Sequence, residues 1–128
     1  MRALVADRSA TTRRVVIRAL RVVGVQDVLE FPDVHGAAPA LAGAPDLVVI
    51  EWSATDDDAL QLVTELRARE GGALARVILM SERDRRADLE RAIALDIQGY
   101  LLKPFESRAL IEQLAAALQP GESSAEAA

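Results

Sequence analysis

Short apolar runs alternate along the chain with amphipathic stretches, and that rhythm predicts its elements. Arg2-Ala3-Leu4-Val5-Ala6 stops at Asp7 and predicts a strand. Ser9 follows, with a hydroxyl suited to accept from the free N–H groups of a first helical turn. Val16, Leu20 and Val23 then share one helical face, and Arg14, Arg18 and Arg21 another, until Gly24 stops the helix. Val25 to Phe31 predicts a second, weaker strand. Pro32, Gly36, Pro39, Gly43 and Pro45 leave room only for a short second helix. Asp46 to Ile50 has the continuous apolar pattern of a strand buried on both faces. Beyond the loop Ser53 to Asp58, a helix carries Leu60, Val63 and Leu66 inward and ends at Gly71-Gly72. Val77 to Met80 predicts a fourth strand, and Asp84 to Leu95 a helix burying Leu89, Ala92 and Ile93. Gln98 to Leu102 predicts a fifth strand, and Ser107 to Leu118 a last helix with Leu110, Ile111, Leu114 and Leu118 inward.

Strands that alternate with helices pair in parallel through right-handed crossovers. The prediction is therefore an α/β fold over residues 1–118. Its core is a doubly wound five-stranded parallel sheet in the flavodoxin-like order 2-1-3-4-5, with five helices. Residues 119–128, rich in Gly, Ser, Glu and Ala, carry no apolar stripe and read as a flexible tail or linker. In such sheets the functional site lies beyond the carboxyl ends of the strands. That rule selects Asp7-Arg8, Glu51-Trp52-Ser53, Ser81-Glu82 and Lys103-Pro104.

Composition narrows the function classes. At 51% hydrophobic residues the 128-residue chain carries too much apolar content for disorder, yet no run is long enough to span a membrane. No signal-peptide core opens the chain, so a cytoplasmic protein is expected. The absence of cysteine excludes thiolate chemistry, and a single histidine excludes a histidine-rich metal site. A net charge of −5 argues against direct nucleic-acid binding by this domain.

Four segments in order make the reading specific. They are Leu4-Val5-Ala6-Asp7-Arg8-Ser9-Ala10-Thr11, Asp46-Leu47-Val48-Val49-Ile50-Glu51-Trp52, Val77-Ile78-Leu79-Met80-Ser81 and Gly99-Tyr100-Leu101-Leu102-Lys103-Pro104-Phe105. Glu51 and Ser81 lie 30 residues apart, and Ser81 and Lys103 lie 22 apart. From Arg2 to Leu118 the chain resembles the receiver domains of two-component response regulators, particularly the chemotaxis type. The resemblance implies a signalling protein rather than an enzyme. It implies an acidic pair after the first strand that holds magnesium; here Asp7 fills the first place and Arg8 stands in the second. It implies a phosphoaccepting aspartate after the third strand, where this chain has Glu51. Ser81 matches the hydroxyl that meets the phosphoryl group. Lys103 matches the lysine after the fifth strand, and Pro104 a proline often cis in the family. Tyr100 matches an aromatic residue that reports activation at the surface of the last helices.

Two departures bear on mechanism. The resembled site sets three carboxylates against one lysine, a formal −2. Here Asp7 and Glu51 face Arg8 and Lys103, a formal zero. Magnesium is usually anchored by one or two carboxylates, so weak or absent magnesium binding is expected. The extra methylene of Glu51 shifts its carboxylate by about a bond length, a misplacement of the order that costs ~10²-fold in rate. The leading expectation is a pseudo-receiver that acts by phosphorylation-independent protein contact. One rival keeps phosphoryl transfer from a histidine kinase to Glu51, and a flavodoxin-like enzyme ranks last.

Bland readings stand beside these. Lys103 is the only lysine among 15 basic residues, which favours a site role over a surface cation. Asp56-Asp57-Asp58 lacks calcium-loop spacing and reads as a helix cap that complements the dipole. His35 reads as a surface residue. Arg83, Arg85, Arg86 and Arg91 read as solvated charges paired at helical spacing. In the resembled family, however, the face of the fourth helix, fifth strand and fifth helix carries effector contacts or a homodimer. That makes Arg85, Arg86, Arg91 and Tyr100 the candidate partner surface. Trp52, the only tryptophan, adjoins Glu51 and is expected to report ligands entering the pocket.

Overall fold

A computed structural model describes residues 1–119. Five strands form one parallel sheet: β1 (Arg2–Ala6), β2 (Asp27–Phe31), β3 (Leu47–Trp52), β4 (Arg76–Ser81) and β5 (Gly99–Leu102). Their order is β2-β1-β3-β4-β5, as the alternation of elements predicts. The connecting helices are α1 (Ala10–Val22), α2 (Val34–Ala37), α3 (Asp58–Ala68), α4 (Arg86–Ile93) and α5 (Ser107–Ala117). The predicted tail lies, from residue 120 onward, outside the described residues.

Side chains alternate across a strand, so each central strand feeds two cores. Leu4, Ala6, Val48, Ile50, Trp52, Val77 and Leu79 point to one face, against α2, α3 and Ala92 of α4. Ala3, Val5, Leu47, Val49, Ile78, Met80 and Leu101 point to the other, against α1 and α5. Burial on both sides is the reason β1, β3 and β4 carry unbroken apolar runs.

Local signals set the helix ends. Ser9 accepts from Thr12 N through its hydroxyl and caps α1. Gly24, at φ +92°, turns the chain out of that helix in the left-handed region glycine tolerates. The Gly/Pro-rich stretch allows four residues of α2 and then a 3₁₀ turn at Ala38–Gly43, as its breakers predict. Asp57 stands at the N-cap of α3 without making a cap hydrogen bond, so the capping role read for the Asp56-Asp57-Asp58 run does not hold for Asp57. Asp56 keeps a local role, its carboxylate accepting from Asp58 N, and Asp58 stands in the first turn of α3, where it complements the helix dipole.

Besides shifts of a residue or a few at other element ends, two spans differ from the sequence reading in ways that bear on the site. β3 runs past Ile50, because Glu51 and Trp52 continue to pair with Met80 and Ser81 of β4. α4 is shorter than predicted and buries only Ala92 fully, while Ile93 is 66% exposed. Apolar spacing alone placed Ile93 on the inner face. The helix instead meets the sheet through a single small residue.

Candidate functional site

The site forms where β1 ends and β3 continues. The β1–β3 register stops at Ala6 opposite Ile50. The next residues, Asp7 and Glu51, therefore lie side by side at the carboxyl edge, Asp7 just past β1 and Glu51 still paired with Met80 of β4. Lys103 arrives from the end of β5, and its peptide bond to Pro104 is cis.

Asp7 is fully buried. Its Oδ1 accepts from Ser9 N at 2.8 Å, which ties it to the start of α1. Its Oδ2 lies 2.8 Å from Lys103 Nζ. No donor is aligned on that oxygen, so the contact is charge attraction rather than a directed hydrogen bond. Lys103 Nζ also reaches Glu51 Oε2 at 3.3 Å.

Arg8 grips Glu51 from the other side. Its backbone N–H and its Nε donate to Oε1 at 3.1 and 3.2 Å, and Nη2 donates to Oε2 at 3.4 Å. The fork is long and its arginine side chain is 62% exposed, against 14% for Glu51. Both oxygens of Glu51 thus face cations or N–H donors. An open crevice of about 190 Å³ adjoins this pair, bordered also by Asp33, His35 and Asp56. Two larger hollows, about 510 and 670 Å³, hold none of the strand-end motif residues.

Burial pushes the Glu51 carboxyl up, but the side-chain and backbone bonds from Arg8, with the charge of Lys103, outweigh it. The net effect is a value below the ordinary 4.5. A carboxyl whose folded value is depressed contributes stability above its unfolded value, and loses it as pH falls through the folded one. Stability is therefore expected to decline as pH drops from about 4.5 downward, more steeply in the natural protein than in Glu51→Gln. Thermal melts across that window check it; parallel acid limbs would contradict it.

The other predicted residues fall elsewhere. Ser81 is 1% exposed, and its hydroxyl donates to Trp52 O at 2.8 Å and accepts from Arg83 N at 3.0 Å. The Trp52 side chain, next to Glu51 in sequence, alternates onto the opposite face of the sheet and is fully buried there. It is positioned to report on its own neighbours, not directly on the acidic pocket. Those neighbours include Tyr100, edge-on at 6.4 Å between ring centroids, and the guanidiniums of Arg83 and Arg91. Tyr100 is half-buried, and its hydroxyl donates to Arg83 O at 2.7 Å. Burial raises its phenol above the ordinary value. Arg91 pairs with Asp57. Arg85 and Arg86 remain exposed, and His35 is a surface residue as read.

Arg83 is not a solvated charge. It precedes α4, and only 16% of its side chain is exposed. Local periodicity assigned it to a helix face because its partners lie far off in sequence. The strand-end rule, carried two residues past Ser81, is the signal that finds it.

Residues 3–115 match the family described as the response regulator receiver domain. The chain belongs to that family. It is 30% identical over 115 residues to the chemotaxis protein CheY-3 of Vibrio cholerae, covering 89% of this chain and 88% of that one. A chemotaxis protein CheY homolog of Campylobacter jejuni is 29% identical over 123 residues, covering 94% and 95%. Among solved structures, the chemotaxis response regulator CheY4 of Vibrio cholerae superimposes with a TM-score of 0.78 at 20% identity, over 91% and 98% of the two chains. That last likeness speaks for the fold. The protein is a receiver domain of the two-component or chemotaxis type, a class of signalling proteins. No helix of the described residues is long and apolar enough to cross a membrane.

Proposed function

We propose that this receiver signals by protein–protein contact, without a phosphoryl group on Glu51 and without magnesium. The observation that carries the proposal is the grip of Arg8 and Lys103 on both oxygens of Glu51. A divalent cation needs carboxylate oxygens with free lone pairs and an excess of negative charge. Each carboxylate oxygen of Asp7 and Glu51 already faces an N–H donor or a cation, and the four side chains sum to zero formal charge. The donor set does not fit magnesium. No group of three or more acidic or histidine side chains gathers elsewhere among the described residues to hold a metal.

Phosphoryl transfer relies on positioning and charge neutralisation. Here the neutralising cations are spent on the acceptor itself, which leaves it a weak nucleophile. The contact surface is then the face of α4, β5 and α5. Ile93 on α4 and Leu102 on β5 are exposed apolar side chains, and Arg85 and Arg86, at the start of α4, are exposed as well. A signalling protein is the expected occupant, and a second copy of the chain would use the same face.

The test supplies labelled acyl phosphate, or a phosphorylated histidine kinase, with millimolar magnesium. The expected result is no stable label on the chain and no saturable heat of magnesium binding by calorimetry. A base-labile phosphate on Glu51 would overturn the proposal.

A further inference from the structure

The loop between β4 and α4 carries a node that the acidic pocket does not use. Arg83 Nε donates to Ser53 O at 2.9 Å, and Nη2 donates to Asp56 O at 3.0 Å, both in the loop after β3. Nη1 donates to Asp88 Oδ1 of α4 at 3.3 Å. The guanidinium carbon sits 4.4 Å above the centroid of the buried Trp52 ring. Through its own backbone the same residue accepts from the Tyr100 hydroxyl of β5 and donates to Ser81 of β4. One arginine therefore joins the β3–α3 loop, the end of β4, α4 and β5.

Each bond asks for a different property of the side chain. The two carbonyls and Asp88 lie in directions that only a planar fork meets together. The indole face rewards a weakly hydrated cation held out of water. Arg91 reinforces the arrangement, 5.7 Å above the same ring and paired with Asp57, which is also 3.5 Å from Arg83 Nη2. α4 has little apolar packing to fix it, since Ala92 is its only fully buried residue.

We propose that Arg83 is a built-in clamp that fixes the α4–β5 contact surface in one conformation. It holds Tyr100 and α4 by internal bonds, so that no event in the acidic pocket is needed to set that surface. The proposal deepens the reading of this face as the contact surface and rests on it. The clamp touches the pocket through Ser53, whose carbonyl takes Arg83 and whose hydroxyl receives a long 3.4 Å contact from Arg8.

Amide hydrogen exchange on the whole chain tests the clamp. In Arg83→Gln, exchange across Arg86–Ile93 is expected to rise about tenfold or more, since a desolvated cation–π contact and its fork are both lost. α1 and α5 should stay unchanged, and acrylamide should quench Trp52 more strongly. Arg83→Lys should show most of the same rise, because an ammonium keeps the charge but not the fork. Arg8→Gln should leave α4 exchange as it is. Unchanged protection of α4 in Arg83→Gln would overturn the proposal. So would a uniform loss across all helices, which would make Arg83 a general stability residue, or an equal rise in Arg8→Gln. If Arg83→Gln does not fold, Asp88→Ala removes the α4 acceptor of Arg83, together with its 3.8 Å contact to Arg91, and a rise confined to α4 is again expected. Phosphate uptake at Glu51 would remove the reading of the surface as phosphate-independent while leaving the exchange result standing, so the two failures are distinguishable.

Discussion

Arg8→Asp combined with Glu51→Asp is expected to create a magnesium site that, on the proposed function, the natural chain lacks. Arg8→Asp converts a formal zero at the site into −2, and Glu51→Asp keeps that charge, with Asp7 and Lys103 untouched. Unit charges about 4 Å apart interact by about 4 kcal/mol at an effective dielectric of 20. A swing of two charges acting on a divalent ion is therefore large against the ~1.4 kcal/mol that makes a tenfold change in affinity. Arg8→Asp also frees both Glu51 oxygens from the fork, and Glu51→Asp withdraws the carboxylate by one methylene to make room for an ion. Calorimetry should show saturable millimolar binding in the double variant, and magnesium should raise its melting temperature, because a ligand that binds only the folded state stabilises it. Arg8→Asp alone should bind more weakly, with the longer Glu51 crowding the same space. If the double variant fails to bind, the shape of the following loop is at fault. There Thr55 N donates to the Ser53 hydroxyl in a tight turn.

The fold was legible because its central strands are buried on both faces, and such strands write themselves as unbroken apolar runs. The strand-end rule then brings Asp7, Glu51 and Lys103 to one place from sequence alone. Legibility ended where contacts skip along the chain. Glu51 looked like a residue after a strand because it is polar. It belongs to β3 because Met80 across the ladder continues the pairing. Trp52 looked like a neighbour of the pocket because it adjoins Glu51, but a strand's alternation of sides sends it to the far face. Arg83 looked like one more charge in an arginine-rich stretch. Its bonds reach Ser53 and Asp56, 30 and 27 residues back, and no helical or strand period encodes that distance. Asp57 looked like a cap, yet its carboxylate is turned to Arg91 and the Trp52 indole N–H.

Lys103→Met is expected to destabilise the receiver by roughly 3 kcal/mol, as removing one partner of a buried ion pair does. For a chain of this length that is a fall of about 10 °C in melting temperature. Methionine keeps the apolar stem but takes away the ammonium, so the change isolates charge from packing. Asp7 is fully buried, and Lys103 Nζ at 2.8 Å is the cation that faces its Oδ2. Without it the carboxylate keeps only the Ser9 N–H on its other oxygen. Arg8→Met provides the contrast. Its side chain is 62% exposed, and removing an exposed ion-pair partner costs under about 1 kcal/mol. The two cations of the site thus do different work: Arg8 sets the charge that a ligand meets, and Lys103 makes the buried acid tolerable. Adding Asp7→Asn to Lys103→Met removes the orphaned charge and keeps an acceptor for Ser9 N, so the pair should melt closer to the natural protein than Lys103→Met alone. Equal melting temperatures for Lys103→Met and Arg8→Met would show instead that Asp7 does not depend on the lysine.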